Sequence, residues 1–390
     1  MTKFDIVIVG GGIVGSASAY YLKKHGFAGS VAIVEKDTSW QSGCTARSCG
    51  GLRQQFSTPE NIALSKFGVG VVKTLKEEFG PEADVGFREQ GYLILATAGG
   101  MPILEENHAV QIANGADNVL LRGAELPARF PWLNAEGLAG GCFGLSGEGW
   151  VDPYSLAALF RKAALARGVT LIQGEVAAVT RAGNRISEVM LASGETISCG
   201  MLVNAAGTGA GRLAEQAGIP LPVGPRKRYV FVFDCPGATE ALHKAPLTVE
   251  PGGIYFRPEG RNFICGLSPE EHEEPQVFDW EVDHAWFEER IWERLAERVP
   301  LFEAIKVIGS WTGHYDYNAL DQNAVIGPHP EVKNFLFANG YSGHGLQQGP
   351  ASGNAIAELV VHGGYRTIDL TRFGYERIVR NAPLFEKNVI

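Results

Sequence analysis

Within its first 35 residues the chain commits itself to one kind of fold. Phe4–Val9 (FDIVIV) is a short apolar run rich in β-branched residues, the pattern of a strand buried on both faces of a parallel sheet. Ile13–His25 has helical composition and stops at Gly26, a residue suited to the left-handed turn that closes a helix. Val31–Glu35 is the next buried strand, so the three segments form one βαβ unit of a doubly wound sheet. Between strand and helix stands Gly10-Gly11-Gly12-Ile13-Val14-Gly15. Each glycine in it has a mechanical reason: Gly10 permits the turn, Gly12 lets the backbone touch a pyrophosphate, and Gly15 allows close helix packing. The helix start offers unpaired N–H groups and a partial positive charge to phosphates. Glu35, 20 residues after Gly15, can accept hydrogen bonds from ribose hydroxyls. That acid disfavours a 2′-phosphate and hence NADP; between NAD and FAD the hexapeptide does not choose.

The rest of the composition narrows the partners. At 390 residues the chain exceeds what one hydrophobic core supports, so two domains are expected. Hydrophobic residues at 45% and charged residues at 20% are ordinary globular usage and exclude a disordered chain or a coiled coil. A net charge of −9 gives no basic field for nucleic acid or anionic lipid, which points to a small-molecule substrate. The 50 glycines are nearly twice the usual share and fall in clusters, as expected where backbone turns tightly or approaches a ligand. The six cysteines form no C-x-x-C pair and have no histidine at zinc-finger spacing, so no metal site is expected; free thiols suit a reduced cytosol. With no long uncharged apolar run and a start that leads directly into a strand, neither a membrane span nor a leader is expected, and the location reads as cytoplasmic.

Further along, Thr58-Pro59 opens a helix on which Phe67, Val71, Leu75 and Phe79 share a core-facing side, and Asp152-Pro153 opens another to about Arg167. Tyr92–Ala96, Val169–Gln173, Ile186–Leu191 and Thr196–Cys199 read as strands. Met201–Ala206 reads as a separate strand returning to the first sheet. Arg228–Asp234, Gly253–Arg257 and Asn262–Leu267 follow as antiparallel strands, then a charged helix over Trp280–Val299, a strand at Phe335–Ala338 and a helix from about Pro350 to Val361. The order predicts an α/β protein of two interleaved domains: nucleotide-binding over 1–85, 147–224 and 321–390, and a substrate domain on an antiparallel sheet over 86–146 and 225–320.

The initial fingerprint, Ser42–Phe56 (SGCTARSCGGLRQQF), Leu202–Gly207 (LVNAAG) and Gly340–Gly353 (GYSGHGLQQGPASG) together resemble the D-amino-acid oxidase/sarcosine oxidase superfamily of FAD-dependent amine oxidoreductases, over essentially the whole chain. The ARSCGGLRQQF segment is similar to the β subunits of heteromeric sarcosine oxidases and L-proline dehydrogenases. The tail YDYNALDQNAVIGPHP, with SGHGLQQ and TIDL, is similar to the mitochondrial FAD-dependent oxidoreductase domain-containing protein 1 group, which acts in respiratory complex I assembly. The resemblance implies a Rossmann-type FAD domain interleaved with the substrate domain. It implies that Gly10, Gly12, Ile13, Val14, Gly15, Glu35 and Lys36 hold the ADP half, with Val176 at the adenine and Ala206 and Gly207 beside it. Ser42, Thr45, Arg47 and Ser48 would line the pyrophosphate and flavin approach, and Gly343, His344, Gly345, Leu346 and Gln347 would pack by the flavin ring. A G-x-G entering a helix is itself another N–H-rich turn.

Several positions depart from the relatives. Gly313 stands where monomeric sarcosine oxidases carry the flavin-linked cysteine and Ser48 where dimethylglycine dehydrogenases carry the flavin-linked histidine, so noncovalent FAD is expected. Ile264 stands where an oxygen-activating lysine would be, which favours a dehydrogenase passing electrons to an acceptor that the sequence does not identify. Arg53 and Arg257 are candidates to fork onto a substrate carboxylate, because Gln347 and Tyr315 replace the relatives' cations. Tyr255, His314 and Tyr315 are candidates for the pocket wall, with core packing as the plainer reading. The function implied is oxidation of the C–N bond of a small N-substituted or cyclic amino acid to an imine that hydrolyses; the alternative is an assembly or interaction protein that keeps FAD for stability. The heteromeric relatives leave room for a partner subunit or a homo-oligomer.

Overall fold

A computed structural model of the chain describes residues 2–274 and 277–387. The first βαβ unit is β1 (Thr2–Val9), α1 (Ile13–Lys24) and β2 (Val31–Glu35), followed by a short β3 (Gly51–Leu52). Next come α2 (Pro59–Lys73), α3 (Leu75–Phe79), β4 (Tyr92–Ala96), α4 (Met101–Ala113), β5 (Asn118–Arg122), α5 (Glu125–Arg129), β6 (Gly140–Gly144) and β7 (Gly149–Trp150). After α6 (Pro153–Ala166) the chain makes β8 (Thr170–Gln173), β9 (Val176–Ala182), β10 (Arg185–Leu191) and β11 (Thr196–Asn204). Then follow α7 (Ala210–Gln216), β12 (Val223–Asp234), α8 (Glu240–His243), β13 (Leu247–Val249), β14 (Tyr255–Glu259), β15 (Asn262–Gly266) and α9 (Trp292–Arg298). The chain continues through β16 (Lys306–Asn318), β17 (Val325–Pro328), β18 (Phe335–Asn339), α10 (Gly345–His362) and α11 (Glu376–Val379).

Two sheets organise the molecule. The first runs β17-β18-β11-β1-β2-β8, with β9 and β10 attached through β11. Its central strands are parallel, and β1, the earliest strand, lies between β2 and β11. Ile6, Val7 and Ile8 are buried, which is why that segment shows no alternation of polar and apolar residues. The second sheet, β16-β12-β15-β14-β13-β4-β6-β5, is antiparallel except where β13 meets β4. The chain passes from one sheet to the other four times, between Glu35 and Tyr92, Gly144 and Thr170, Asn204 and Val223, and Asn318 and Val325. Among the described residues no helix is long and apolar enough to cross a membrane.

Several expected elements differ, among them the helix expected to carry Phe67 through Phe79, which is two helices, α2 and α3, meeting at Thr74. Thr196–Cys199 and Met201–Ala206 are one strand, β11, whose first residues pair with β10 and whose last pair with β18. Gly200 does not break it, because a Cβ there would stand 2.7 Å from the Asp5 carbonyl oxygen and the close approach of β1 needs the glycine. The helix expected over Trp280–Val299 starts later: one wide π turn at Phe287–Ile291 runs into α9, and Trp280 instead meets the His314 ring edge-on at 4.8 Å. The last long helix starts at Gly345, with Pro350 inside it. Its glycines seat it against α1: a Cβ at Gly349 would stand 2.9 Å from Ile13, and one at Gly353 2.5 Å from the Ala17 backbone.

Two buried carboxylates brace the segment after β3. Glu148 accepts from Gln54 N at 2.6 Å and Gln55 Nε2 at 2.8 Å. Glu386, near the last described residue, accepts from Ser57 N at 2.5 Å, Thr58 N at 3.1 Å and Asn61 Nδ2 at 2.5 Å, and also from the Ser57 and Thr58 hydroxyls. It thereby fills the N-terminal end of α2, where Thr58 is the cap residue but its own side chain makes no capping bond.

Candidate functional site: a cleft where two helix starts meet

At the end of β1 the backbone turns through Gly10, whose φ is +99°; a Cβ there would lie 2.2 Å from the Ala205 carbonyl oxygen. A Cβ at Gly15 would lie 1.9 Å from the Gly10 carbonyl oxygen, so α1 is seated directly on the turn. Gly12 is different: its Cβ would meet only the Thr45 hydroxyl, at 3.0 Å, leaving the start of α1 open to a ligand. Thr45 Oγ1 accepts from Ile13 N at 3.2 Å, and Glu35 accepts from Gly11 N at 2.7 Å and Asp37 N at 2.9 Å.

The second turn lies beside the first, because α10 packs on α1 through Gly349 and Ile13. Gly343 has φ +102°, and the Tyr315 ring lies 2.7 Å from where its Cβ would be; α10 then begins at Gly345 with His344 as cap residue. Between the two turns opens a cavity of ≈ 180 Å³. One side is formed by Gly10, Gly12, Ile13, Val14, Glu35, Lys36, the Ser42–Cys49 loop, Ala206, Gly207, Gly343, Gly345 and Leu346. The other side is the second sheet: Arg228, Val230, Tyr255, His314, Tyr315 and Asp316. It continues into a pocket of ≈ 380 Å³ lined by Val34, Glu35, Lys36, Val176 and Ala206. Thus Ser42, Thr45, Arg47, Ser48, Val176, Tyr255, His314 and Tyr315, scattered over the sequence, share one connected cleft with the glycine fingerprint.

Other candidates lie outside the cleft wall. Gly15 is buried beneath it. Arg257 donates to the Cys49 carbonyl from Nε at 3.0 Å and Nη2 at 2.7 Å, and from Nη1 to Pro258 O and Glu259, so its guanidinium is largely engaged and it does not line the cleft. Arg53 is buried over the Phe56 ring and donates to Gln55 O at 2.9 Å and His344 Nε2 at 2.9 Å. Gln347 accepts from Arg53 N at 2.7 Å, so it and His344 brace Arg53 without lining the cleft. Ile264 is a wholly buried residue of β15 away from the cleft, so its apolar character says nothing about oxygen there. The sequence reading missed Arg228, Asp316, Cys49 and Phe278 in the lining, while Cys44 falls within the Ser42–Arg47 stretch it had placed there. The alternation of Arg226, Lys227 and Arg228 on a strand was the one available signal for Arg228.

Burial controls the charges. His314, 3% exposed, lies flat on Phe278 at 4.6 Å; burial lowers its pKa to about 4, and neither ring nitrogen has a hydrogen-bond partner. Burial, and then the Arg53 charge, bring His344 down to about 3, so its neutral ring accepts from Arg53. Burial raises Asp316 to about 6 even though it accepts from Gly340 N at 2.8 Å and Tyr341 N at 3.2 Å, and pushes the Cys44 thiol up to about 12. No group of three or more His, Cys, Asp or Glu side chains among the described residues is arranged to hold a metal ion.

The donor set fits a flavin dinucleotide: an open helix start for a diphosphate, an acid at the adjoining strand end, a second N–H-rich turn, and an aromatic wall carrying an unpartnered buried imidazole. Comparison with known proteins agrees. The chain is 42% identical to FAD-dependent oxidoreductase domain-containing protein 1 of Xenopus laevis, covering 100% of this chain and 85% of that protein. It is 28% identical to the glycine oxidase of Geobacillus kaustophilus, covering 92% of this chain and 93% of that one. Among solved structures, the L-proline dehydrogenase from P. horikoshii superposes with a TM-score of 0.87 at 26% identity, covering 98% of this chain and 100% of that one. The family described as FAD dependent oxidoreductase (DAO) matches residues 5–359, and the chain belongs to that family.

Proposed function

We propose that the chain binds FAD noncovalently in this cleft and oxidises the C–N bond of a small N-substituted or cyclic amino acid, such as sarcosine, dimethylglycine or proline, to an imine that hydrolyses. The observation that carries the reading is the meeting, in one cleft, of the two glycine turns with the aromatic wall of Tyr255, His314 and Tyr315. Bound FAD would supply the two-electron acceptor for the carbon next to nitrogen.

The protein's own part is binding, orientation and exclusion of water. Gly12 and Ile13 at the start of α1 would face the diphosphate, with Ser42, Thr45, Arg47 and Ser48 on its flank and Lys36 near it. Glu35 would accept from ribose hydroxyls, and the Val176 region would take the adenine, with Ala206 and Gly207 beside the ADP. The N–H groups of Gly343, Gly345 and Leu346 would meet the electron-rich edge of the ring system. Tyr255 and Tyr315, whose hydroxyls burial holds in the neutral form, would wall the substrate and keep it dry. No side-chain base is required: a neutral amine already has the lone pair that helps expel hydride. Gly313 offers no nucleophile to a flavin, and the Cys44 thiol is held protonated, which supports noncovalent binding. Likeness to L-proline dehydrogenase supports an acceptor other than oxygen.

The test is anaerobic mixing of the holoprotein with a panel of amino acids. Bleaching of the flavin by sarcosine, dimethylglycine, proline or a close analogue is expected. No bleaching by any amino acid would defeat the reading and favour a flavoprotein kept for assembly or interaction. Fast reoxidation of the reduced protein by air would assign it as an oxidase instead of a dehydrogenase.

A further inference from the structure

One arginine of the cleft wall is paired with a buried carboxylate that does not itself line the cleft. Arg228, on β12, lines the cavity beside Tyr255 and Tyr315 with its side chain 11% exposed, and its guanidinium stands 4.8 Å from the Tyr315 ring centre. Its Nη2 pairs with Glu274 Oε1 at 2.5 Å and its Nη1 donates to Lys227 O at 2.9 Å, while its Nε has no hydrogen-bond partner. Glu274, 5% exposed, also lies 3.0 Å through Oε2 from Nε of Arg226, two residues back on the strand. One carboxylate is therefore shared by two guanidinium groups in a place shielded from water. Such a cluster carries an uncompensated positive charge, which favours a second anion at whichever arginine the cavity can reach. That arginine is Arg228, since Arg226 does not line the cavity.

The other cations of the region are committed. Arg47 donates to Gln41 O at 2.8 Å and Thr312 O at 3.0 Å and stacks on Trp280, Lys36 lies over Phe278, and Lys227 pairs with Asp279. Arg257 is spent on Cys49, and Arg53 stands behind the wall.

We propose that Arg228 is the specificity-determining residue that recognises the substrate carboxylate, and that Glu274 is the internal carboxylate whose share of Arg228 the substrate takes over. On binding, Glu274 keeps Arg226, and each guanidinium then has its own anion. The assignment rests on the amino-acid reading of the substrate, but it is tested by binding alone. The probe is acetate, with acetamide as its neutral isostere, titrated into the holoprotein and followed by flavin absorbance and calorimetry. Wild type is expected to bind acetate and not acetamide. Arg228→Gln should weaken acetate by at least about tenfold, because a charge-assisted fork is lost. Arg228→Lys should recover part of it, since the charge stays and the fork does not. Glu274→Gln should tighten acetate by removing the competing charge. Flavin content and the thermal midpoint serve as folding controls; should Arg228→Gln fail them, the acetate affinity of Arg228→Lys against wild type decides.

Wild type that binds no acetate, an unchanged affinity in Arg228→Gln, weaker acetate in Glu274→Gln, or loss of acetate in Arg53→Gln with retention in Arg228→Gln would each overturn the assignment. If no amino acid reduces the flavin while this acetate series behaves as expected, the catalytic reading fails and the anion site stands.

Discussion

Glu148 shows what a single buried side chain does to the pH response of the whole protein. It is 1% exposed, and desolvation raises its pKa to about 7 although Gln54 N and Gln55 Nε2 donate to its charged form. The folded carboxyl therefore keeps its proton to a higher pH than the unfolded one does. Its contribution to stability is fully present below the unfolded value of about 4.3 and is lost as pH rises through the folded value. Replacing it by Gln removes that dependence. Measured by denaturant unfolding, the stability of Glu148→Gln relative to wild type should improve by on the order of 2 kcal/mol between about pH 5 and about pH 7. A difference that stays flat would show that this carboxyl titrates normally. His314 works in the opposite direction: its pKa is lowered to about 4, so its stabilisation is present above its unfolded value and is lost on acidification. His314→Phe should reduce the acid sensitivity of unfolding. Residues such as Gly10, Gly12 and Glu35 were legible in the sequence because their meaning depends on neighbours a few positions away. Arg228 and Asp316 were not, because both face the cleft through the pairing of β12 with β16, strands separated by a long stretch of chain.

Elements were read correctly where local chemistry fixes them and misread where tertiary packing does. Asp152 caps α6 by accepting from Ser155 N at 2.6 Å, and Pro59 opens α2, both as their sequence patterns indicate. The Gly345–Gly349 stretch was passed over as helix since glycine and proline oppose it locally; contact with α1 makes up that deficit. The contact sets a sharp limit at Gly353, where a Cβ would meet the Ala17 Cβ at 2.6 Å and its carbonyl carbon at 2.5 Å. Gly353→Ala should push the two helices apart and cost about 1–3 kcal/mol, read as a shift of the denaturant midpoint at constant m value. An unchanged midpoint would mean that the crossing has slack. The same crossing holds the two glycine turns side by side, so Gly353→Ala should also weaken FAD retention. β16 went unread because KVIGSWTGHYDYN has no clean alternation; β12, paired along nearly its whole length, makes it a strand.

For the molecule as a whole, the interleaved arrangement was visible in the order of segments: a βαβ start, antiparallel runs, and returns to the first sheet. Tyr255, His314 and Tyr315 were named for the pocket wall through the family resemblance; composition and periodicity alone did not say which faces would meet. The proposed noncovalent attachment of FAD makes a prediction at this scale. Acid precipitation should leave the yellow chromophore in the supernatant, whereas colour in the pellet would reveal a covalent link. Excess FAD should stabilise the apoprotein by about 2.7 kcal/mol at a hundredfold excess over Kd, following mass action, and a thermal melt at increasing FAD checks it.

The carboxylate of Glu386 seated at the start of α2 has a consequence for how the molecule comes into being. A stretch of backbone next to Arg53, made early in translation, gets its anionic clasp from a carboxylate 329 positions further along the chain, so that corner stays unlatched until Glu386 has been made.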